Sequence, residues 1–334
     1  MKFGIIGYGR MGKTYHDVLK TLGIDIEFIC DIEKKDTNLK IILDYKEALN
    51  TSNIDGIIIS TYGPTHYEIV KYAINRGIKH IICEKPFTTS LKHAQEITKL
   101  LRESNSKLTV SYLRRFSDSY SSLIEEININ KKIGIPKSII ITCGAGGISS
   151  VGTHFLDLCT YLLNEKVISV VGFPINKNLP NPRGDEFEDP GGYLILNFKN
   201  EKRAFIDMGD DLGLQPKIEI IGSYGRIEIN EINKKIIGKS RKIEDQEKPM
   251  RFYGLDNEEF INESFNFESI NELIKKMIEN IISKDELKVT AEMAKEKVEI
   301  YSAIRKSFDT GEIVSLPLDP HYTNNEYMVT WKQF

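Results

Sequence analysis

Residues 4–12 read Gly4-Ile5-Ile6-Gly7-Tyr8-Gly9-Arg10-Met11-Gly12. A short apolar strand runs straight into a G-x-G-x-x-G turn, a helix-like stretch follows, and a second strand, Glu27-Phe28-Ile29-Cys30, ends in Asp31. Few chains are free to fold differently around such a segment. Gly7 permits the tight turn, and Gly9 lets a ligand approach the backbone. Gly12 lets the helix pack closely on the strand, so that its free N–H groups face a phosphate. Asp31 stands 19 residues after Gly12, close to the ~20 expected of an acid that binds a ribose 2′-hydroxyl. The spacing predicts a dinucleotide site built on Gly7, Tyr8, Gly9, Arg10, Met11, Gly12 and Asp31. A carboxylate at Asp31 repels a 2′-phosphate, which favours NAD over NADP.

The 334 residues suggest two domains. The chain is 40% hydrophobic and 28% charged, with a net charge of −3. These are ordinary globular values, without a basic patch for nucleic acid. No apolar run approaches the ~18 residues of a bilayer span. The first strand begins at Lys2, which leaves no room for a signal peptide and predicts a cytoplasmic protein. The four cysteines, Cys30, Cys83, Cys143 and Cys159, lack C-x-x-C spacing and read as buried thiols in a reducing compartment. The six histidines are scattered, so no metal site is expected.

Strand and helix alternate through the first ~120 residues. Strands are expected at Lys2–Gly7, Ile26–Cys30, Asp55–Ser60, His80–Cys83 and Leu108–Tyr112. The helices between them are expected at Met11–Leu22, Tyr45–Asn50, Tyr67–Arg76 and Ser90–Glu103. The fold class is therefore α/β, opening with a doubly wound parallel sheet. After a helix near Ser117–Ile129, strands follow one another at Lys137–Cys143, Val167–Gly172, Tyr193–Phe198, Lys202–Met208, Lys217–Ile221 and Arg226–Asn230. Their tight turns predict an open, mostly antiparallel sheet. Helices are expected at Thr153–Leu163, Ser269–Ile282 and Ala291–Phe308, while Ile232–Glu259, charged and aperiodic, reads as solvated hairpin and loop. The expected domains are 1–118, 119–318 and an aromatic tail, 319–334, with the helix near 291–308 able to pack back on the first domain.

Two further segments carry chemistry. The fourth long strand runs into Glu84-Lys85-Pro86, which places Lys85 at the carboxyl edge of the sheet, where open α/β sheets bind ligands. A glycine-rich run from Gly144 leads through Ser150, Gly152 and Thr153 into a helix carrying His154 and, three residues on, Asp157. An imidazole titrates near neutrality and suits proton exchange with a hydroxyl. Taken singly, each has a plainer reading: Lys85 as a surface charge, His154 as a capping or core histidine.

Together these residues resemble the Gfo/Idh/MocA family, named for glucose–fructose oxidoreductase, inositol dehydrogenase and a rhizopine-catabolism protein. The resemblance rests on the glycine turn, on Ser60-Thr61 and His66, on Glu84-Lys85-Pro86, on Arg115-Phe116, and on Gly152, His154 and Asp157. It covers nearly the whole chain. It implies a Rossmann domain, a C-terminal α/β domain that often makes dimers or tetramers through its sheet, and nicotinamide-dependent oxidation or reduction of a sugar, cyclitol or nucleotide-sugar. It also implies Lys85 and His154 as catalytic groups, with Thr61, His66, Glu84 and Lys85 at the nicotinamide. Tyr112, Arg114, Arg115, Ser150, Thr153, Asp157 and Arg183 are candidate substrate contacts. Arginines would suit an anionic group on the substrate.

One position departs from the family pattern Asp-x-Gly-x-His-x-x-Asp. The place of its first Asp holds Ser150, which cannot carry charge. Three readings follow: Lys85 and His154 suffice, the substrate is a non-sugar carbonyl or imine, or the chain is a non-catalytic NAD/sugar sensor of the same fold.

Overall fold

The computed structural model describes residues 1–33, 41–144, 147–175, 187–209, 211–213, 215–252, 254–283, 286–319 and 330–331. The aromatic tail expected over 319–334 lies outside the described residues, apart from 319 and 330–331. The chain divides into two compact units. The first contains Met1–Phe116 and Ser269–Glu299; the second contains Ser117–Glu268 and Ile300–Asp319.

In the first unit, β1 (Lys2–Ile6), β2 (Asp25–Cys30), β3 (Ile41–Ile42), β4 (Gly56–Ile59), β5 (His80–Cys83) and β6 (Lys107–Val110) form one sheet in the order β3-β2-β1-β4-β5-β6. All its pairings are parallel. The apolar runs of β4 and β5 are buried along their whole length, as a sheet covered on both faces requires. Helices α1 (Arg10–Thr21), α2 (Tyr45–Thr51), α3 (Gly63–Asn75) and α4 (Leu91–Arg102) alternate with the strands. Asp44 caps α2 through the N–H groups of Lys46 and Glu47. Helix α3 starts four residues before the expected Tyr67, because Pro64 opens it at a position that needs no N–H. Ser90 precedes α4, but its hydroxyl makes no capping bond. Helix α7 (Ile270–Ser283) buries Leu273, Ile274, Met277, Ile278 and Ile281, and packs on α1 and strands β5 and β6. The strand order reverses about β1, so the chain leaves β1 and β4 toward opposite sides and opens a crevice at their carboxyl ends.

The second unit is built on a nine-stranded sheet. It contains β7 (Pro136–Thr142), β8 (Val167–Pro174), β10 (Gly192–Phe198), β11 (Arg203–Asp207), β12 (Lys217–Gly222), β13 (Gly225–Asn230), β14 (Lys235–Arg241), β15 (Asn257–Ser264) and β16 (Val314–Ser315). A two-residue strand, β9 (Phe187–Glu188), precedes β10. The order is β15-β14-β13-β12-β7-β11-β10-β8-β16. Every neighbouring pair is antiparallel except β11 on β7. Helices α5 (Asp118–Asn128) and α6 (Thr153–Leu163) belong to this unit, and α6 packs on β7. Helix α8 (Ala291–Thr310) ends in it.

The expectation of solvated hairpin and loop over Ile232–Glu259 is met in its hairpin and corrected in its loop: Lys235–Arg241 is a full strand of the sheet, and Asn257–Glu259 begin another. The apolar pattern is faint because this is the far edge of the sheet. Its charges are cross-strand partners instead: Lys239 lies opposite Glu259 and its Nζ is 3.3 Å from that carboxylate.

One face of the sheet carries a partly exposed apolar patch over β8, β10 and β11. Phe173 on β8 stacks on its cross-strand partner Tyr193 on β10, and Ile195 lies opposite Phe205 on β11. Phe173, Tyr193 and Phe205 are 43%, 49% and 39% exposed, although the alternate residues Leu194, Leu196, Ala204 and Ile206 on the opposite face are buried.

No helix among the described residues is long and apolar enough to cross a membrane. The four cysteines are free and buried.

Candidate active site

At the carboxyl end of β1, Gly7 adopts φ +91°, a conformation that side chains rarely tolerate. Its N–H donates to the Cys30 carbonyl (2.8 Å), and its carbonyl accepts from the Ser60 hydroxyl (2.7 Å). Gly12 lies directly above: a Cβ there would stand 2.1 Å from the Gly7 oxygen. Gly9 is the opposite case, because a Cβ would meet nothing within 4 Å. The open side of Gly9 adjoins the start of α1, which has no side-chain cap and no acid in its first turn. Uncapped N–H groups beside open backbone suit an anion such as a pyrophosphate. Of the intervening residues, Arg10 is exposed, Met11 half-buried and Tyr8 buried, with the Tyr8 hydroxyl 3.0 Å from Nδ1 of His16.

Asp31 follows β2. One carboxylate oxygen accepts the Tyr8 N–H (2.7 Å) and the other accepts the Glu33 N–H (3.0 Å). The acid is thus tied to the glycine turn, and both fit the two ends of an adenosine diphosphate.

Glu84 and Lys85 follow β5. Glu84 is buried, and its carboxylate accepts from the Tyr15 hydroxyl of α1 (2.8 Å) and from the Lys85 N–H (3.3 Å). Burial, and then the Glu84 carboxylate, push the Tyr15 phenol well above its usual pKa, so Tyr15 remains a donor. Lys85 is half-buried and precedes a cis bond to Pro86. His66 is fully buried; Nδ1 lies 2.7 Å from the Pro86 carbonyl and Nε2 lies 3.1 Å from that of Thr61. Burial lowers its pKa, against the pull of the two carbonyls. A neutral imidazole donates from one nitrogen only, and the shorter contact, to the Pro86 carbonyl, makes His66 a tie between the segments after β4 and β5. Thr61 is half-buried and its hydroxyl accepts from Thr65 (2.7 Å).

After β6, Tyr112 is buried, and a 3-10 turn over Leu113–Phe116 carries Arg114, half-buried, and Arg115, buried. The segments after β1, β2, β4, β5 and β6 thus bring every candidate of the first unit to one edge of its sheet.

In the second unit, the end of the glycine-rich run is a π-helical turn, Gly147–Gly152, continuous with α6. Ser150, Thr153 and Asp157 are buried, and His154, the second residue of α6, is half-buried. The Asp189 carboxylate accepts the N–H groups of Ser149 and Ser150, both at 2.9 Å. Burial raises the Asp189 pKa, partly offset by those donors. Arg183 lies outside the described residues. Among them no group of His, Cys, Asp and Glu could hold a metal.

Tyr15 and Asp189 escaped the sequence reading. Tyr15 sits among the apolar positions of α1 without any local sign of its partner 69 residues away. Asp189 is 39 and 40 residues from the N–H groups it accepts.

A doubly wound sheet, a glycine turn, a tethered acid and a lysine at the sheet's edge define a dinucleotide-binding oxidoreductase. The chain belongs to the Gfo/Idh/MocA family: residues 1–112 match its NAD-binding Rossmann fold and residues 143–316 its C-terminal alpha/beta domain. It is 29% identical over 249 residues to an uncharacterized oxidoreductase, YrbE, of Bacillus subtilis, covering 66% of this chain and 71% of that one. It is 26% identical over 252 residues to the myo-inositol 2-dehydrogenase of Thermotoga maritima, covering 68% and 74%. The fold matches that of the WlbA dehydrogenase from Bordetella pertussis, crystallised with NADH and UDP-GlcNAcA, with a TM-score of 0.73, 17% identity and coverage of 96% and 99%.

Proposed function

We propose that the protein is an NAD-dependent dehydrogenase or reductase of a sugar, cyclitol or nucleotide-sugar. The observation that carries the choice of NAD is the Asp31 carboxylate bonded to the Tyr8 N–H at 2.7 Å. That bond holds a fixed negative charge where a 2′-phosphate would otherwise be received, which suits ribose hydroxyls instead. Gly9 and the uncapped start of α1 would take the pyrophosphate. NAD, when bound, supplies the hydride acceptor; the rest of the chemistry belongs to this chain.

Lys85 stabilises the alkoxide that develops as the hydride leaves, which lowers the pKa of the alcohol. His154 takes the hydroxyl proton, and returns it when the reaction runs toward the alcohol. Glu84 holds the Lys85 backbone and Tyr15 holds Glu84. Thr61 lies at the edge where the nicotinamide end would rest, with His66 behind it. Tyr112, Arg114, Arg115, Ser150, Thr153 and Asp157 are the proposed substrate contacts. The sugar class is supported by the inositol dehydrogenase relative and by the nucleotide-sugar in the WlbA complex. The open apolar face around Phe173 and Tyr193 supports assembly into a dimer or tetramer.

The test is calorimetric titration with NAD and NADP, followed by absorbance at 340 nm across a panel of inositols, hexoses, uronates and UDP-sugars. Tighter binding of NAD and turnover of one panel class are expected. Binding of NAD without turnover of any member favours the sensor reading, for which the uncharged Ser150 is the motive. Failure to bind either nucleotide overturns both.

A further inference from the structure

The turn that presents His154 has little reason to hold its shape. Gly147, Ser149, Ser150 and Gly152 are poor helix formers, and two of them favour competing local bonds. Yet residues Gly147–Gly152 form a π-helical turn continuous with α6. Two neighbouring residues accept three of its N–H groups. Asp189 accepts the Ser149 and Ser150 N–H groups, one on each carboxylate oxygen, at 2.9 Å. The Pro190 carbonyl accepts the Ile148 N–H at 3.2 Å. Gly147 has φ +65°, and a Cβ there would stand 2.2 Å from Oδ2 of Asp189, so the carboxylate occupies the space that a side chain would need. Four consecutive residues are therefore shaped around one carboxylate and the carbonyl beside it. That carboxylate sits on the backbone of Ser150, which lies one helical turn before His154 and carries no charge itself.

We propose that Asp189 is a positioning residue for the reaction: it clamps the Gly147–Gly152 turn and returns to position 150 the negative charge that Ser150 lacks. The inference rests on the reading of His154 as the acid/base group. It also makes a statement about His154 that turnover does not enter.

The experiment titrates the His154 imidazole by NMR, and measures kcat and KM against pH, in the full-length protein and in Asp189→Asn, Ser150→Asp and the double variant. Asp157 on the same helix is a second carboxyl near His154 and is present in all four proteins. Asp189→Asn keeps the size and loses the charge. Its His154 pKa should fall by about 0.5–1 pH unit, kcat should drop about tenfold or more, and the NAD Kd should stay within about twofold. In the double variant, the carboxylate that Ser150→Asp introduces should restore the His154 pKa, an effect a purely structural cap would not give. A His154 pKa unchanged in a folded Asp189→Asn protein overturns the proposal, whether or not the enzyme assignment holds. If Asp189→Asn does not fold, Ser150→Asp alone decides. A second carboxylate against the charged Asp189 should lower the Tm through like-charge repulsion; an unchanged Tm overturns the inference. Unchanged turnover alongside a shifted His154 pKa would instead count against the acid/base reading alone.

Discussion

The Tyr8 N–H donates to the Asp31 carboxylate at 2.7 Å, so the first variable residue of the glycine turn holds the acid at the end of the second strand. The two halves of the dinucleotide site are one hydrogen-bonded unit. Asp31→Asn removes the charge and keeps the size. We expect NAD binding to weaken about 10- to 100-fold, the worth of a charged hydrogen bond, and the preference for NAD over NADP to shrink. Calorimetry with both nucleotides checks this; unchanged selectivity would remove Asp31 from the ribose site.

Gly9 and Gly12 separate binding from folding. A Cβ at Gly9 meets nothing within 4 Å, whereas at Gly12 it strikes the Gly7 carbonyl at 2.1 Å. Gly9→Ala should leave the Tm nearly unchanged and weaken NAD binding. Gly12→Ala should cost about 1–3 kcal/mol and lower the Tm by several degrees. Thermal melts alongside NAD titration read both, and equal effects at the two positions would contradict the assignment.

Lys85→Met removes the charge at the edge of the sheet without disturbing Glu84 or Tyr15 beneath it. Turnover should fall at least about 10²-fold, with NAD affinity within a few-fold. His154→Asn should lose about 10²–10⁴-fold. Steady-state kinetics with the best panel substrate decides, and full activity in either variant removes that residue from the mechanism.

Buried histidines make the fold acid-sensitive. Burial lowers the pKa of His16, His66 and His80 below the usual value. The unfolded chain therefore binds protons first as pH falls. Their stabilising contribution is whole above about pH 6.5 and is lost as pH drops from there through their folded values. The Tm should decline between about pH 6.5 and 5, before most carboxylates titrate. The decline should be shallower in His66→Gln, provided that variant still folds; a Tm flat across this window would contradict the buried neutral state.

The open sheet face should mediate self-association. Phe173→Asp with Tyr193→Asp places charge on two stacked, half-exposed rings. Sedimentation should show a smaller species with a near-native circular dichroism spectrum. An unchanged mass would assign assembly to another surface.

The periodic segments of the first 116 residues, and most strands of the second unit, were legible in the sequence because apolar runs of four residues and tight turns between them are local signals. The glycine turn, Asp31, Lys85 and His154 were legible for the same reason: each follows directly from the end of a strand or the start of a helix. What the sequence by itself determined is therefore the class of fold and the residue types at its working edge. Tertiary structure alone decided which partners the buried ones find. His66 became an internal tie, Tyr15 became the support of Glu84, and Asp189 came to stand on Ser149 and Ser150 across some 40 residues of chain. It also decided that the charged run after Ile232 adds strands to a sheet. The physical reason is common to the first three: a buried polar group must find its partner wherever the fold brings one, and a sequence pattern records burial without recording the partner.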